Sequence, residues 1–281
     1  MITTRQSLVQ FVSEFHKTDP LPVLFTSHGN PMDIPNETSL FRVLNTLGIK
    51  ILEEHRVNAV LIISAHWNTK GTFVDISENP RTIYDFYGFP ETHYKLDYKA
   101  PGSPLLANEI VERLPIVTPS DDWGLDHGSW PILRHLFPNK NIPIVQLSMD
   151  YYKEPAYHYE LAQQLKYLRN HGVLIIGSGS LVHNLKLAIP RMMQNNNELY
   201  GWENVFEDWV MDSVRNGNHK AVIDYKNYEL GLLAAPTPDH YVPLLYALGV
   251  VDKNEPITDL HEGMFPGFSD KSFLIGKLTL N

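Results

Sequence analysis

"VNAVLIISA", residues 57–65, is an apolar run with no alternation of polar and apolar side chains. A strand that reads this way has both faces covered, so it belongs inside a sheet with helices packed on either side. Five further stretches have strand character: "LPVLFTS" (21–27), "TFVDIS" (72–77), "IPIVQLSM" (142–149), "GVLIIGSG" (172–179) and "SFLIGKL" (272–278). Helical periodicity lies between them, at 39–55, 103–114, 154–172, 202–217 and 241–250. Strand and helix alternate along the whole length. That predicts one three-layer α/β domain over residues 1–281, with a central mostly parallel or mixed sheet flanked by helices. Residues 78–101 and 118–131 are aromatic-rich and irregular and read as loops over the strand ends, where open α/β sheets bind their ligands.

Apolar residues make up 43% and charged residues 20%, the balance of an ordinary globular protein with a sizeable core. The chain has no cysteine. That excludes disulfides, thiolate zinc sites, iron–sulfur clusters and a cysteine nucleophile, and it suits a reducing cytoplasm. A formal net charge of −9 argues against nucleic-acid and anionic-membrane partners, which reward a basic face. No apolar run approaches the roughly 20 residues of a membrane span. The opening "MITTRQSLVQFVSEFHKTDP" lacks the continuous apolar centre of a signal peptide and reads as a short amphipathic helix, so a cytoplasmic location is expected.

Thirteen histidines are the unusual count. His16, His55, His158, His171 and His219 lie in polar or helical surroundings and read as surface residues. Five others stand at the ends of elements. His28 and His66 each end a strand directly, in "LFTSHGNPM" and "LIISAHWN". His183 follows the Gly-Ser turn of "LIIGSGSLVHNL", within one turn of a helix. His127 sits in a loop ahead of a helix in "DDWGLDHGSWPIL", and His240 at a helix start in "AAPTPDHYVPLLYALG". Gly, Ser and Pro beside them are turn chemistry, not packed core. Neutral imidazole is the commonest metal ligand near neutral pH, and three convergent ones with open positions suit Fe, Zn, Cu or Ni. Spacing alone shows that a convergent site is possible. "GSGSLV" (177–182) is not a dinucleotide fingerprint, because Val182 stands at the third glycine position, and it does not have the G-x-S-x-G order.

Six motifs in order, "SHGNPM", "SAHW", "YDFYGFP", "WGLDHGSWPIL", "GSGSLVHNL" and "APTPDHYVPLLYALG", make the chain resemble the class III extradiol ring-cleavage dioxygenases, and within them the 4,5-DOPA-extradiol dioxygenase-like branch. The resemblance runs from about residue 22 to the C-terminus. It implies one divalent metal per chain, Fe(II) for activity with Zn(II) possible in purified protein, held by His28, His66 and His240. His183 would face the metal as acid–base catalyst, or close the coordination as a fourth ligand when no substrate is bound, and His127 would lie beside it. The substrates would be O₂ and a catechol, opened to a muconic semialdehyde. The broader superfamily binds iron with two histidines and a glutamate, whereas the third position here is His240, which leaves the site one negative charge short.

That chemistry needs a metal with open positions and a group that acts first as base and then as acid, both of which histidine supplies. "YDFYGFP" with Trp67, Trp123 and Trp130 offers aromatic walls for a flat ring, or packing. A mononuclear zinc hydrolase of an amide or ester would need the same histidines and a carboxylate base, for which Asp126 and Asp239 are available. A non-catalytic metal or tetrapyrrole-binding protein would use the histidines but leave the aromatic loops unexplained.

Overall fold

The computed structural model describes residues 10–279. Residues 1–9, the start of the expected N-terminal helix, lie outside them, and 10–14 are helical. Ten strands form among the described residues: β1 Val23–Thr26, β2 Ala59–Thr69, β3 Thr72–Asp75, β4 Val117–Ser120, β5 Ile144–Asp150, β6 Val173–Ser178, β7 Ile257–His261, β8 Met264–Phe265, β9 Phe268–Ser269 and β10 Ser272–Ile275. Eight of them make one mixed sheet in the order β4-β3-β5-β2-β6-β1-β10-β7, and β8 with β9 is a separate hairpin. The centre is parallel: β5 with β2, β2 with β6, and β6 with β1. β3 and β10 join it antiparallel on either side.

The uninterrupted apolar runs follow from burial on two faces. Leu61 and Ile63 of β2, Val23 and Phe25 of β1, and Val173 and Ile175 of β6 pack into one core. Val60 and Ile62, Leu24, and Leu174 and Ile176 pack into a second on the opposite face. Each such side chain stabilises the fold by about 1.5–3 kcal/mol relative to exposure. The Val242–Gly249 helix covers the first face and the Ser39–Glu54 helix the second. Thr38 caps the latter by accepting from the Phe41 N–H at 3.2 Å.

The single α/β domain and all six expected strands are present. Three differences have physical reasons. β4 lies in the stretch read as loop from 118 to 131, and the Trp130–Leu136 helix begins at that stretch's end. β4 and β7 are edge strands, short and partly exposed, so neither carries the buried-strand pattern. The helix expected over 154–172 is α-helical over Pro155–Leu165 and continues as a 3₁₀ turn, Lys166–His171, which Gly172 ends in the left-handed region at φ 71°.

Two histidines read as surface residues are buried. His158 Nδ1 lies 3.1 Å from the Tyr246 hydroxyl, and burial pushes its pKa down to about 4. His219 Nδ1 lies 2.9 Å from the Tyr159 hydroxyl. Both are neutral core residues whose partners come from other helices. His16 is exposed, and His55 and His171 are half-buried.

Candidate metal centre

Strands β1, β6 and β2 are neighbours in the sheet, and their carboxyl ends open side by side. β1 ends at Thr26 and delivers His28 two residues on, where Gly29 turns the chain at φ 70°. β2 delivers His66 from inside an irregularity. Its register with β5 is regular to Ile63 and resumes at Asn68, so residues 64–67 face a single β5 residue and the strand bends. β6 ends at Ser178, and the backbone N–H of His183 donates to the Ala234 carbonyl at 2.8 Å. Asn184 caps the Leu185–Met193 helix, accepting from the Leu187 N–H at 3.2 Å.

His240 precedes the Val242–Gly249 helix, and its carbonyl accepts from the Ser180 N–H at 2.8 Å. The glycines of "GSGS" make this possible. A Cβ on Gly179 would collide with the His240 carbonyl oxygen, and one on Gly177 with that of Pro243. Those glycines bring two chain segments together.

All five end-of-element histidines converge on one cleft of roughly 800 Å³. The rings of His28, His66 and His240 form a near-equilateral triangle, with centres 4.9 Å apart for His28–His66, 5.1 Å for His66–His240 and 5.3 Å for His28–His240. His183 stacks on His240 at 3.4 Å. His127 lies 3.8 Å from His66 and 5.5 Å from His28.

Each ring of the triangle has its Nδ1 engaged. The Ser178 hydroxyl donates to the Gly128 carbonyl, so it accepts from His28 Nδ1–H at 3.1 Å. His66 Nδ1 lies 3.3 Å from Asp85 Oδ2. His240 Nδ1 contacts Asp239 Oδ2 closely. Nitrogens tied this way carry the proton and leave Nε2 as the free lone pair. The Nε2 atoms of His28 and His66 then stand only 3.1 Å apart. Two lone pairs at that distance repel unless a cation lies between them, so the donor set fits a divalent metal. Burial, reinforced by the neighbouring imidazoles, holds His28 and His66 well below the usual histidine pKa, so both rings are neutral at pH 7. Burial would raise Asp239, but the hydrogen bond with His240 holds it below the carboxylate range.

Asp85 and Ser178 were not singled out in the sequence. Asp85 lies in "YDFYGFP", a segment that stands out for its aromatics. Tyr84, Phe86 and Phe89 of that segment, with Trp130, pack into the core while Tyr87 is exposed, and none of them lines the cleft: Phe86 is buried, Tyr84 packs against Trp130, and Trp130 Nε1 donates to the Ile83 carbonyl at 3.2 Å. Trp67 stacks on Trp123 at 6.2 Å. The cleft takes its apolar surface from Phe41, Leu185, Met192, Phe265 and Phe268. The carboxylates a hydrolase would need are committed elsewhere. Asp126 is buried and accepts from Ser64, Trp123, Gly128 and Gln146, and Asp239 serves His240.

The family of the catalytic LigB subunit of aromatic ring-opening dioxygenases matches residues 21–266. A protein of Escherichia coli K12 named 4,5-DOPA dioxygenase extradiol is 40% identical over 253 residues, 88% of this chain and 91% of that one. A Beta vulgaris protein of the same name is 36% identical, covering 84% and 89% of the two chains. Among solved structures, an uncharacterized protein from Escherichia coli K12 superposes with a TM-score of 0.77 at 38% identity, covering 91% of this chain and 100% of that one.

Proposed function

Because the chain belongs to the LigB family of aromatic ring-opening dioxygenases and is a metal-dependent extradiol ring-cleaving enzyme, we propose its residue assignments and substrate. His28, His66 and His240 hold one ferrous ion, His183 is the acid–base group with His127 beside it, and the ring opened is that of a DOPA-like catechol. The observation that carries the ligand set is the triangle of ring centres, about equally spaced, each with Nδ1 engaged from behind, although by donor atoms alone His28 and His66 group with His127 within 4.8 Å. Such outer partners orient a ligand and raise its basicity. Asp85 and Asp239, directly behind His66 and His240, return at one remove the negative charge that a glutamate ligand would bring.

Bound iron would supply open positions for the catechol oxygens and O₂ together with redox electrons that zinc lacks. The chain's own part is to place and to move protons. Burial and the neighbouring His240 keep His183 uncharged, so a ring nitrogen is free to take the catechol hydroxyl proton and return it as the opened product forms. A second reading makes His183 a fourth ligand, and its supporting observation is that its donor atoms and those of Asp239 and His240 lie within 4.8 Å of one another.

Asp33, Glu262 and Asp270 line the cleft, with Glu262 paired to Lys271 behind it and Asp270 facing His261, and none of the lining residues is itself Lys or Arg. That charge favours a catechol whose side chain carries an ammonium group over one that carries only a carboxylate. The whole chain, residues 1–281, is read as one catalytic domain. No helix among the described residues is long and apolar enough to cross a membrane. A cytoplasmic place without nucleic-acid partners accords with the absent cysteines and the net charge of −9.

Elemental analysis tests the ligand set. His28→Ala, His66→Ala and His240→Ala should each lose tightly bound metal, and His127→Ala should retain it. A metal-replete His240→Ala protein would remove that residue from the set.

A further inference from the structure

We propose that Asp85 is a positioning residue that sets two imidazoles at once, fixing His66 as an Nε2 ligand and His127 with its Nε2 lone pair free. The inference rests on His66 being a metal ligand.

One carboxylate meets three nitrogens. Asp85 Oδ1 accepts the backbone N–H of His127 at 2.8 Å. Its Oδ2 lies 2.9 Å from His127 Nδ1 and 3.3 Å from His66 Nδ1. His127 Nδ1 is buried and has no aligned partner, so this oxygen, within a small ring rotation, is the acceptor within reach. An ionised carboxylate only accepts, and its two oxygens have lone pairs enough for three donors. Each nitrogen facing it must therefore carry the hydrogen. The backbone N–H always does, while the two imidazoles comply by adopting the Nδ1–H tautomer. The Asp85 side chain is 16% exposed, so water competes little for these contacts. Its position is fixed by packing, with Phe86 next to it at 5% exposure and Phe86 edge-on to His127 at 5.7 Å.

Asp85→Asn separates this role from simple space-filling. The amide has the shape of the carboxylate but presents one oxygen and one NH₂. The His127 backbone N–H cannot change its hydrogen, so it takes the amide oxygen, and the NH₂ faces the two imidazoles. Both rings then turn to the Nε2–H tautomer, which places a hydrogen where His66 must offer a lone pair. A structural residue would be well replaced by Asn and badly by Ala. A residue that sets the tautomer would not be rescued by Asn.

The experiment titrates Co(II) into the metal-depleted full chain and follows affinity and ligand-field absorption for wild type, Asp85→Asn, Asp85→Ala and His66→Ala. Asp85→Asn should bind about 10–100-fold more weakly, the usual scale for loss of a partner behind a metal ligand, with an altered Co(II) spectrum, and no more tightly than Asp85→Ala. Its unfolding temperature, measured with chelator present, should stay near that of wild type. Wild-type Co(II) affinity and spectrum in Asp85→Asn, with His66→Ala unable to bind, overturn the inference and leave the ligand reading intact. Wild-type affinity in His66→Ala overturns both.

Discussion

The backbone holds His183 on both sides: its own N–H donates to Ala234 at 2.8 Å and that of Asn184 to Gly267 at 2.7 Å. Its ring stacks on His240 and meets the edge of Phe268 at 5.9 Å. No hydrogen bond ties either ring nitrogen to another described side chain, in contrast to His28 and His240. That difference supports the proposed reading of His183 as a proton carrier and of His28 and His240 as ligands. His183→Ala should therefore keep its iron and lose roughly 10²–10⁴-fold in single-turnover ring cleavage, the range for a positioned proton-transfer group. Metal content measured in the same preparation decides, because a metal-free variant would make His183 a ligand.

At the scale of elements, the site depends on how closely β6 approaches the Val242–Gly249 helix. Gly179 has no room for a side chain against the His240 carbonyl. Gly179→Ala should push the His240 segment outward, costing about 1–3 kcal/mol as overpacking does and weakening metal binding together with the unfolding temperature. A Gly179→Ala protein with wild-type melting and full metal content would show that the approach is not needed. The sequence made some of this readable and hid the rest for definite reasons. Parallel central strands declare themselves because Val60 and Leu61, adjacent in β2, are both buried on opposite faces. β4 and β7 do not, because an edge strand pairs on one side and keeps polar residues. His158 and His219 look solvated until Tyr246 and Tyr159 arrive from other helices. Asp85 is illegible for the same reason, since His127 lies 42 residues away along the chain.

Across the whole molecule, the strand order β2-β6-β1 explains why the strand-end histidines of a single sequence meet at all. His28 and His183 follow the carboxyl ends of β1 and β6, His66 projects from the bend in the adjacent parallel β2, short of that strand's end, and His127 and His240 come from loops that close over the same edge. The five-fold recurrence of histidine at element ends was the legible part of the site. The carboxylates that orient those histidines and the acidic, cation-free lining of the cleft become visible only in three dimensions. Together they support the proposed reading of an iron-dependent enzyme that opens an amine-bearing catechol. The most direct test is oxygen consumption by metal-depleted protein reloaded anaerobically with Fe(II) or with Zn(II), then offered matched catechols bearing an ammonium or a carboxylate. Fe(II)-loaded protein should consume O₂, yield a yellow semialdehyde and turn over the ammonium-bearing catechol faster, while Zn(II)-loaded protein stays inert because d¹⁰ zinc has no redox chemistry to offer. Equal turnover with zinc, or no oxygen uptake with iron and either catechol, would contradict it.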